Sequence, residues 1–369
     1  MKGSMAELKT KINGIEFPNP VLTAAGPNVR NGELLIEAAQ GGAGGLVSKT
    51  ISTVAADDPR PTIRCLPCKS LMNCETWAET PPEEFIEDIK KVKSETVPLI
   101  VSIGYKPEEV ALLGPLVERE LHPDAIEFSV HYVGRSVEPI VEIARTLKEV
   151  VTVPIWLKLS PNFLDIEELA VAASPYIDAF VAINSFGPVL DFDPDNVSPY
   201  LGSEYGQGWL SGSSILPIAL SIVYRVARAQ EKPVIGVGGV SSGIDAIKFL
   251  MAGASAVQVC SAAIKNGHSI YGEIAQGIDR WLDSHNYGSV SEIIGLYGKS
   301  LTKRKLFTNK PKMTVVEENC VGCGVCVSRC IQGALSMEDK LCIVNYDRCI
   351  GCGFCAGFCK FNAMELRKG

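Results

Sequence analysis

Two cysteine runs of identical spacing constrain this chain more than any other feature. Cys320-x2-Cys323-x2-Cys326-x3-Cys330 is repeated as Cys349-x2-Cys352-x2-Cys355-x3-Cys359, so nine of the thirteen cysteines fall in one short C-terminal stretch, eight of them in the two runs. The x2-x2 spacing lets one tight turn wrap three thiolates around a cubane of iron and sulfide, while the fourth thiolate of each run ligates the other cluster. Cys320, Cys323, Cys326 and Cys359 are therefore assigned to one 4Fe-4S cluster, and Cys349, Cys352, Cys355 and Cys330 to the second. Gly322, Gly324, Gly351 and Gly353 let the backbone turn closely around the sulfurs. Structural zinc usually takes two separated pairs of ligands, which two triplets with a trailing cysteine fit poorly. Cys342, between the runs, reads as a small buried residue.

This is the spacing of a two-cluster ferredoxin, although Ile331 and Lys360 stand where a proline usually follows the fourth cysteine. Such clusters carry one electron at a time and offer no substrate pocket, so the chemistry has to reside elsewhere in the chain. With 369 residues, 46% hydrophobic and 21% charged, there is room for a large barrel or sheet beside so small a module. A net charge of −7 without a dense basic tract argues against nucleic acid as a partner. No apolar run approaches the length of a membrane span. The first residues hold neither an apolar signal core nor a cleavage site, which predicts a cytoplasmic protein whose thiols stay reduced.

From residue 20 to about 285, β-rich runs alternate with helical patterns. The eight runs are Val21–Ala25, Gly45–Thr50, Pro98–Ile103, Ala125–Val130, Ile155–Ser160, Ala179–Asn184, Pro233–Gly238 and Ala254–Cys260. Most are continuously apolar, as strands covered on both faces are. Helices are predicted at Gly32–Gln40, Pro107–Leu121, Val137–Val150, Ile166–Ser174, Ser214–Ala229, Ile244–Ala252 and Ser269–Ser284. Eight βα units predict an α/β fold, a (β/α)8 TIM barrel with the ferredoxin-like domain at its C-terminal end. Thr10–Phe17, with Asn13-Gly14 at its centre, predicts a hairpin plugging the bottom of the barrel. Gly187–Trp209, rich in Pro, Asp, Gly and Ser, reads as a lid or substrate loop. The expected divisions are a barrel over 1–300, a basic linker over 301–312 holding Lys303, Arg304, Lys305, Lys310 and Lys312, and the cluster domain over 313–369.

In such a barrel, cofactor and catalytic groups gather at the strand C-termini. These read Ala24-Ala25-Gly26, Ser48-Lys49-Thr50, Ser129-Val130-His131-Tyr132, Lys158-Leu159-Ser160, Asn184-Ser185, Gly236-Val237-Gly238-Gly239 and Val259-Cys260-Ser261. The last two form a glycine-rich mouth at the usual phosphate position. Lys49 and Lys158 suit the electron-rich edge of a flavin ring, so a phosphorylated, reducible ring is the natural occupant. Gly239-Val240-Ser241-Ser242-Gly243 matches a hydrolase nucleophile elbow, but a phosphate site accounts for its glycines better. No G-x-G-x-x-G opens a βαβ unit, so no nicotinamide site is visible.

The segments Ser48-Lys49-Thr50, Leu71-Met72-Asn73, Leu157–Asn162, Leu210-Ser211-Gly212 and Gln258-Val259-Cys260-Ser261-Ala262 occur in order ahead of the cluster tail. On them the chain resembles the dihydroorotate and dihydropyrimidine dehydrogenase family over nearly its whole length, closest to the flavin and iron–sulfur portion of dihydropyrimidine dehydrogenase. The resemblance implies FMN contacts from Ala25, Lys49, Thr50, Lys158, Ser211, Gly212, Gly238, Gly239, Cys260 and Ser261. It implies ring or substrate contacts from Asn73, Asn184 and Ser185, with Ser129 at a substrate-binding position.

Family members acting on pyrimidines read Asn-x-Ser-Cys-Pro on the fourth strand, with the Cys, or a Ser in another class, moving a proton opposite the flavin. Here Ser129 replaces the Asn, His131 the Ser, Tyr132 the Cys and Val133 the Pro, and Leu216 stands where Lys or Arg commonly precedes Pro217. A pyrimidine substrate therefore does not follow from the resemblance. Strand alternation puts Ser129 and His131 on one face, with Tyr132 opening the loop. A tyrosine, with an ordinary pKa of about 10, suits a general acid, and a histidine near about 6.5 works in either direction. Tyr132 is the first candidate and His131 the second; packing without acid–base work is the alternative for each. Cys65-x2-Cys68-x5-Cys74 adjoins Asn73 and is expected to line the pocket as free thiols rather than to hold a metal.

The expected activity is an FMN- and iron–sulfur-dependent oxidoreductase that reduces or forms a C=C bond next to a carbonyl in a small substrate, with electrons relayed through two 4Fe-4S clusters. The expected electron partner is a ferredoxin or a separate NAD(P)H-flavin subunit, in a homo- or hetero-oligomer. The alternatives are dihydropyrimidine dehydrogenation of uracil and thymine, and an electron-transfer subunit without substrate chemistry of its own.

Overall fold

The computed structural model describes residues 6–67, 69–94, 96–129, 134, 136–301 and 311–367. The chain divides into two compact units, Met1–Ser300 and Leu301–Gly369.

In the first unit, continuous apolar runs produce eight parallel strands. These are β1 (Val21–Thr23), β2 (Leu46–Val47), β3 (Leu99–Ile103), β4 (Ala125–Ser129), β5 (Ile155–Leu159), β6 (Ala179–Ala182), β7 (Val234–Val237) and β8 (Ala256–Val259). Their hydrogen-bonded order is β1-β8-β7-β6-β5-β4-β3-β2. A parallel bridge between Leu22 and Gly45 brings the two ends together. Each predicted strand is present with its ends trimmed by one to four residues, as expected where the chain leaves the ladder for a loop.

The apolar continuity has two causes. Inward-facing Ile100, Trp156, Val181 and Ile235 fill the barrel, and outward-facing Val101, Phe128, Leu157 and Phe180 pack in a separate, larger cluster with the helices. The hairpin Thr10–Ile12 and Ile15–Phe17 turns through Asn13 at φ 52° and Gly14 at φ 86°. It drives fully buried Ile12 and Phe17 into the inner cluster. Asn13 donates to the Asp178 carbonyl at 2.9 Å and accepts from Trp156 Nε1 at 2.9 Å.

The seven predicted helices all form, with boundaries within two residues of the expectation. Pro82–Ile89, Ser261–Asn266 and Leu296–Ser300 are further helices of this unit that the sequence reading does not give. Around the mouth the structure departs further from the sequence reading. The stretch read as a lid contains all but the first residue of the strand Phe186–Leu190 and the first half of Gln207–Gly212, which join Ser70–Asn73 and Ile63–Leu66 in a four-stranded antiparallel sheet. The pairing sets Trp209 against Asn73, a partner too distant in sequence for local pattern to reveal.

In the second unit, Lys312–Val315 pairs with Met364–Arg367, and Leu335–Glu338 with Leu341–Val344. Lys312 thus opens a strand rather than lying in a linker, and its amine donates to the carbonyls of Tyr346 and Cys349 at 2.6 and 3.0 Å. Lys303, Arg304, Lys305 and Lys310 lie outside the described residues. Among the described residues no helix is long and apolar enough to cross a membrane.

Candidate active site and cluster-binding residues

A cavity of about 360 Å³ opens at the C-terminal ends of the strands. Its floor is polar and buried. β4 and β5 set Ser129 beside Lys158 in register, and alternation points Glu127, Lys158 and the β8 residue Gln258 into the barrel. Lys158 Nζ lies 3.3 Å from Glu127 Oε1 and 3.4 Å from Gln258 Oε1, and Gln258 donates to Glu127 Oε2 at 2.7 Å. A carboxylate and an ammonium this deeply buried survive only as a hydrogen-bonded pair.

Lys49, just beyond β2, is buried and paired with Glu75 at 2.9 Å, and Thr62 donates to the other oxygen of that carboxylate at 3.4 Å. Thr50 and Ser102 share a hydrogen bond of 3.0 Å. The Tyr105 hydroxyl also bonds Thr50, and burial pushes this phenol well above its ordinary range, so it stays protonated. Opposite, Asn184 donates to Ser129 Oγ at 3.0 Å and accepts from the Ser185 amide at 2.8 Å. Asn73 donates to the Trp209 carbonyl at 3.3 Å.

Gly238, Gly239, Ser211, Gly212 and Ser261 line the other end. Gly239 has φ 80°, and a Cβ there would fall 2.7 Å from the Gly212 carbonyl oxygen, so the close approach of the two loops depends on glycine. Ser261 Oγ donates to Ser211 Oγ at 2.9 Å. Cys260 donates to Asn28 Oδ1 at 3.1 Å; burial, partly offset by Lys158 and Lys49, pushes its thiol up to about 11.

All ten positions expected to contact a flavin line this one cavity, as do Asn73, Ser129, Asn184 and Ser185. His131 and Tyr132, with Val130 and Val133, lie outside the described residues. Sequence reasoning missed Glu127, Glu75 and Tyr105. The signal for Glu127 was available, because the alternation that turns Ser129 inward turns Glu127 inward too.

One sequence reading needs correction. Neither Cys65 nor Cys74 is among the described residues lining the cavity. Strand alternation gives Asn73 to the cavity and leaves Cys74 packed with Met72 and Leu201, whereas Cys65 is exposed. Cys68 lies outside the described residues. The elbow-like Ser241 and Ser242 both bond Asp245 Oδ2, at 3.0 and 2.8 Å, and Ser242 caps the helix Gly243–Ala252. They stabilise a helix start instead of presenting a nucleophile.

In the second unit, Cys320, Cys323, Cys326 and Cys359 line one small cavity. Cys330 and Cys352 instead act on Cys355, adding to burial in raising its thiol. The repeat extends to the backbone: the amide of Ala334 points at Cys330 Sγ at 3.3 Å, and that of Ala363 at Cys359 Sγ at 3.2 Å. Gly351 has φ 69°, and a Cβ there would overlap the Pro311 carbonyl. Cys342 is buried with its sulfur 3.4 Å from that of Cys326, and its thiol is raised to about 12, chiefly by burial.

A parallel βα-barrel with a charged, glycine-rimmed mouth, joined to a cysteine module of this spacing, defines an iron–sulfur oxidoreductase of the flavin-barrel class. The family model for dihydroorotate dehydrogenase matches residues 131–282, and that for the 4Fe-4S binding domain matches 313–336 and 342–365. The chain is 37% identical over 303 residues to the dihydroorotate dehydrogenase B (NAD(+)) catalytic subunit of Pyrococcus abyssi, covering 78% of this chain and 98% of that relative. The subunits of the same name from Pyrococcus furiosus and Methanothermobacter thermautotrophicus are 37% and 35% identical over 307 and 301 residues. These alignments cover 79% and 78% of this chain, and 99% and 98% of the relatives. The chain belongs to the dihydroorotate dehydrogenase family, whose members are oxidoreductases acting on CH–CH groups.

Proposed function

We propose that the barrel mouth holds FMN and the C-terminal unit two 4Fe-4S clusters, and that the enzyme adds or removes two hydrogens across a carbon–carbon bond next to a carbonyl. The observation that carries this is the convergence of all ten flavin-contact positions on one cavity floored by a buried Lys158–Glu127 pair.

The residues present fit both groups. The glycine-dependent approach at Gly239 leaves a cradle for a phosphate, and Lys158 presents a fixed positive charge to an electron-rich ring. Cys320, Cys323, Cys326 and Cys359 share one cavity, and Cys352 and Cys330 act on Cys355, which supports assigning these three with Cys349 to the second cluster. When bound, FMN supplies two-electron exchange with an organic substrate and one-electron exchange with the clusters.

Asn73, Asn184 and Ser129 present hydrogen-bonding groups to a carbonyl or amide of the substrate. The Asn184–Ser129 contact holds both side chains in position. Glu75 holds Lys49 at the wall. Tyr132 is assigned the proton at the substrate carbon, with His131 second. Cys260 remains a thiol at neutral pH and takes no part as a nucleophile.

The relatives are named as catalytic subunits of an NAD(+)-linked enzyme, wording that implies a separate electron-transfer chain. In the present chain the cluster repeats lie on the same polypeptide as the barrel. The electron partner is accordingly assigned as a ferredoxin or an NAD(P)H-flavin subunit that meets the clusters. The substrate is assigned as a small unsaturated carbonyl compound, because Ser129, His131, Tyr132 and Val133 replace the pyrimidine-type pattern.

The test is anaerobic reconstitution, flavin and iron analysis, then titration of the reduced enzyme with orotate, uracil and short enoates. Flavin with about eight irons per chain and prompt reoxidation by an enoate are expected. Reoxidation by orotate or uracil alone would return the substrate to the pyrimidines, and a colourless protein would end the proposal.

A further inference from the structure

A second cavity, of about 480 Å³, adjoins the first and shares Glu75, Thr76 and Tyr105 with it. Its other described walls are mostly apolar, built from Trp77, Trp209, Pro107, Pro139 and Ile143, with Lys106 and Glu142 as charged members. At about 360 Å³ the first cavity is at the small end for a single organic ligand, so the adjoining chamber is the space into which a second molecule can extend.

The aromatic walls are fixed before anything binds. The Trp77 indole N–H donates to the Val54 carbonyl at 2.7 Å, and its ring lies against Tyr105 with centroids 5.6 Å apart at 52°. Tyr105 is held in turn by Thr50. Trp209 is locked in the mouth sheet opposite Asn73. Glu75, the charged group on the shared wall, is neutralised by Lys49 at 2.9 Å. Rigid rings around an apolar space offer edge and face contacts to another flat group at little ordering cost.

We propose that this chamber is a subsite for an aromatic or flat apolar arm of the substrate, whose reducible bond lies in the neighbouring cavity. The inference rests on the functional reading above and deepens it: the substrate is an aryl-bearing enoyl compound, larger than a free pyrimidine or a short enoate.

Cinnamate and crotonate share the enoate and differ in carrying a phenyl or a methyl group, which makes them the probes. After flavin content is measured, each is titrated anaerobically into the oxidised holoenzyme and binding is read from the flavin spectrum. Saturation-transfer NMR on the aryl protons of cinnamate is run in parallel and needs no flavin. Cinnamate is expected to bind at least about tenfold more tightly than crotonate. Trp77→Ala should remove about that factor for cinnamate and leave crotonate within about twofold. Pro139→Trp, at the exposed start of a helix, should fill the chamber and exclude cinnamate if the first variant does not fold. Equal affinities for the two probes, or equal losses in a folded variant, would overturn the chamber proposal while leaving a flavin-loaded enzyme intact. Protein without flavin would instead overturn the functional reading, and the aryl-proton signal would still decide the chamber.

Discussion

Lys158 and Glu127 face each other at 3.3 Å inside the barrel, 4% and 0% exposed. Gln258 is a polar group in contact with both. Replacing Glu127 by Gln keeps the shape and removes the charge that compensates the ammonium. Breaking one side of a buried pair costs about 3–5 kcal/mol. Glu127→Gln should therefore lower stability by roughly 3 kcal/mol in urea unfolding. A loss below about 1 kcal/mol would mean that another group meets the charge of Lys158.

Gly239 is strained for any other residue. Its φ of 80° is left-handed, and a Cβ would lie 2.7 Å from the Gly212 carbonyl and 2.9 Å from Leu216 Cβ. Gly239→Ala should cost about 1–3 kcal/mol and push the two loops apart at the phosphate end. Flavin content after gel filtration should fall sharply while the far-ultraviolet circular dichroism is kept. Full flavin retention would place the phosphate elsewhere.

If Tyr132 supplies the proton, Tyr132→Phe should lower kcat by about 10²–10⁴ with flavin and iron content unchanged, as loss of a general acid does. His131→Ala should then have the smaller effect. A reversed order would exchange the two roles.

The eight strands were legible because most are largely apolar runs buried on both faces. The residues that line the cavity were legible through short segments at strand ends. The mouth sheet was not, since Trp209 and Asn73 are paired by the fold and neither segment alternates cleanly. Glu75 and Tyr105 were missed for a related reason: each gains its role from a partner, Lys49 and Thr50, that only the closed barrel brings near. Cys74 misled because a thiol beside a site residue on a strand belongs to the opposite face.

Cys260 sets a pH dependence. Its thiol is raised from an ordinary 9.0 to about 11, mainly by burial. The unfolded chain ionises first, so across that interval unfolding releases a proton. The stabilising contribution is complete below about pH 9 and is lost as pH rises to about 11. Wild type should lose stability relative to Cys260→Ala between pH 8 and pH 11, measured by denaturant unfolding. Parallel curves would show that the thiol is not buried in solution.

The crossing of the fourth cysteines can be decided by counting iron. Cys359 shares a cavity with Cys320, Cys323 and Cys326, and Cys330 lies near Cys352 and Cys355. If Cys359 serves the first run, then Cys323→Ala and Cys359→Ser remove ligands from the same cluster. Combining them should leave about four of about eight irons. Joining Cys323→Ala to Cys330→Ser strikes both clusters and should leave almost none. Were each fourth cysteine to serve its own run, the two double variants would exchange outcomes. Both carry two substitutions in the same small unit, so a general loss of stability would not reproduce the contrast.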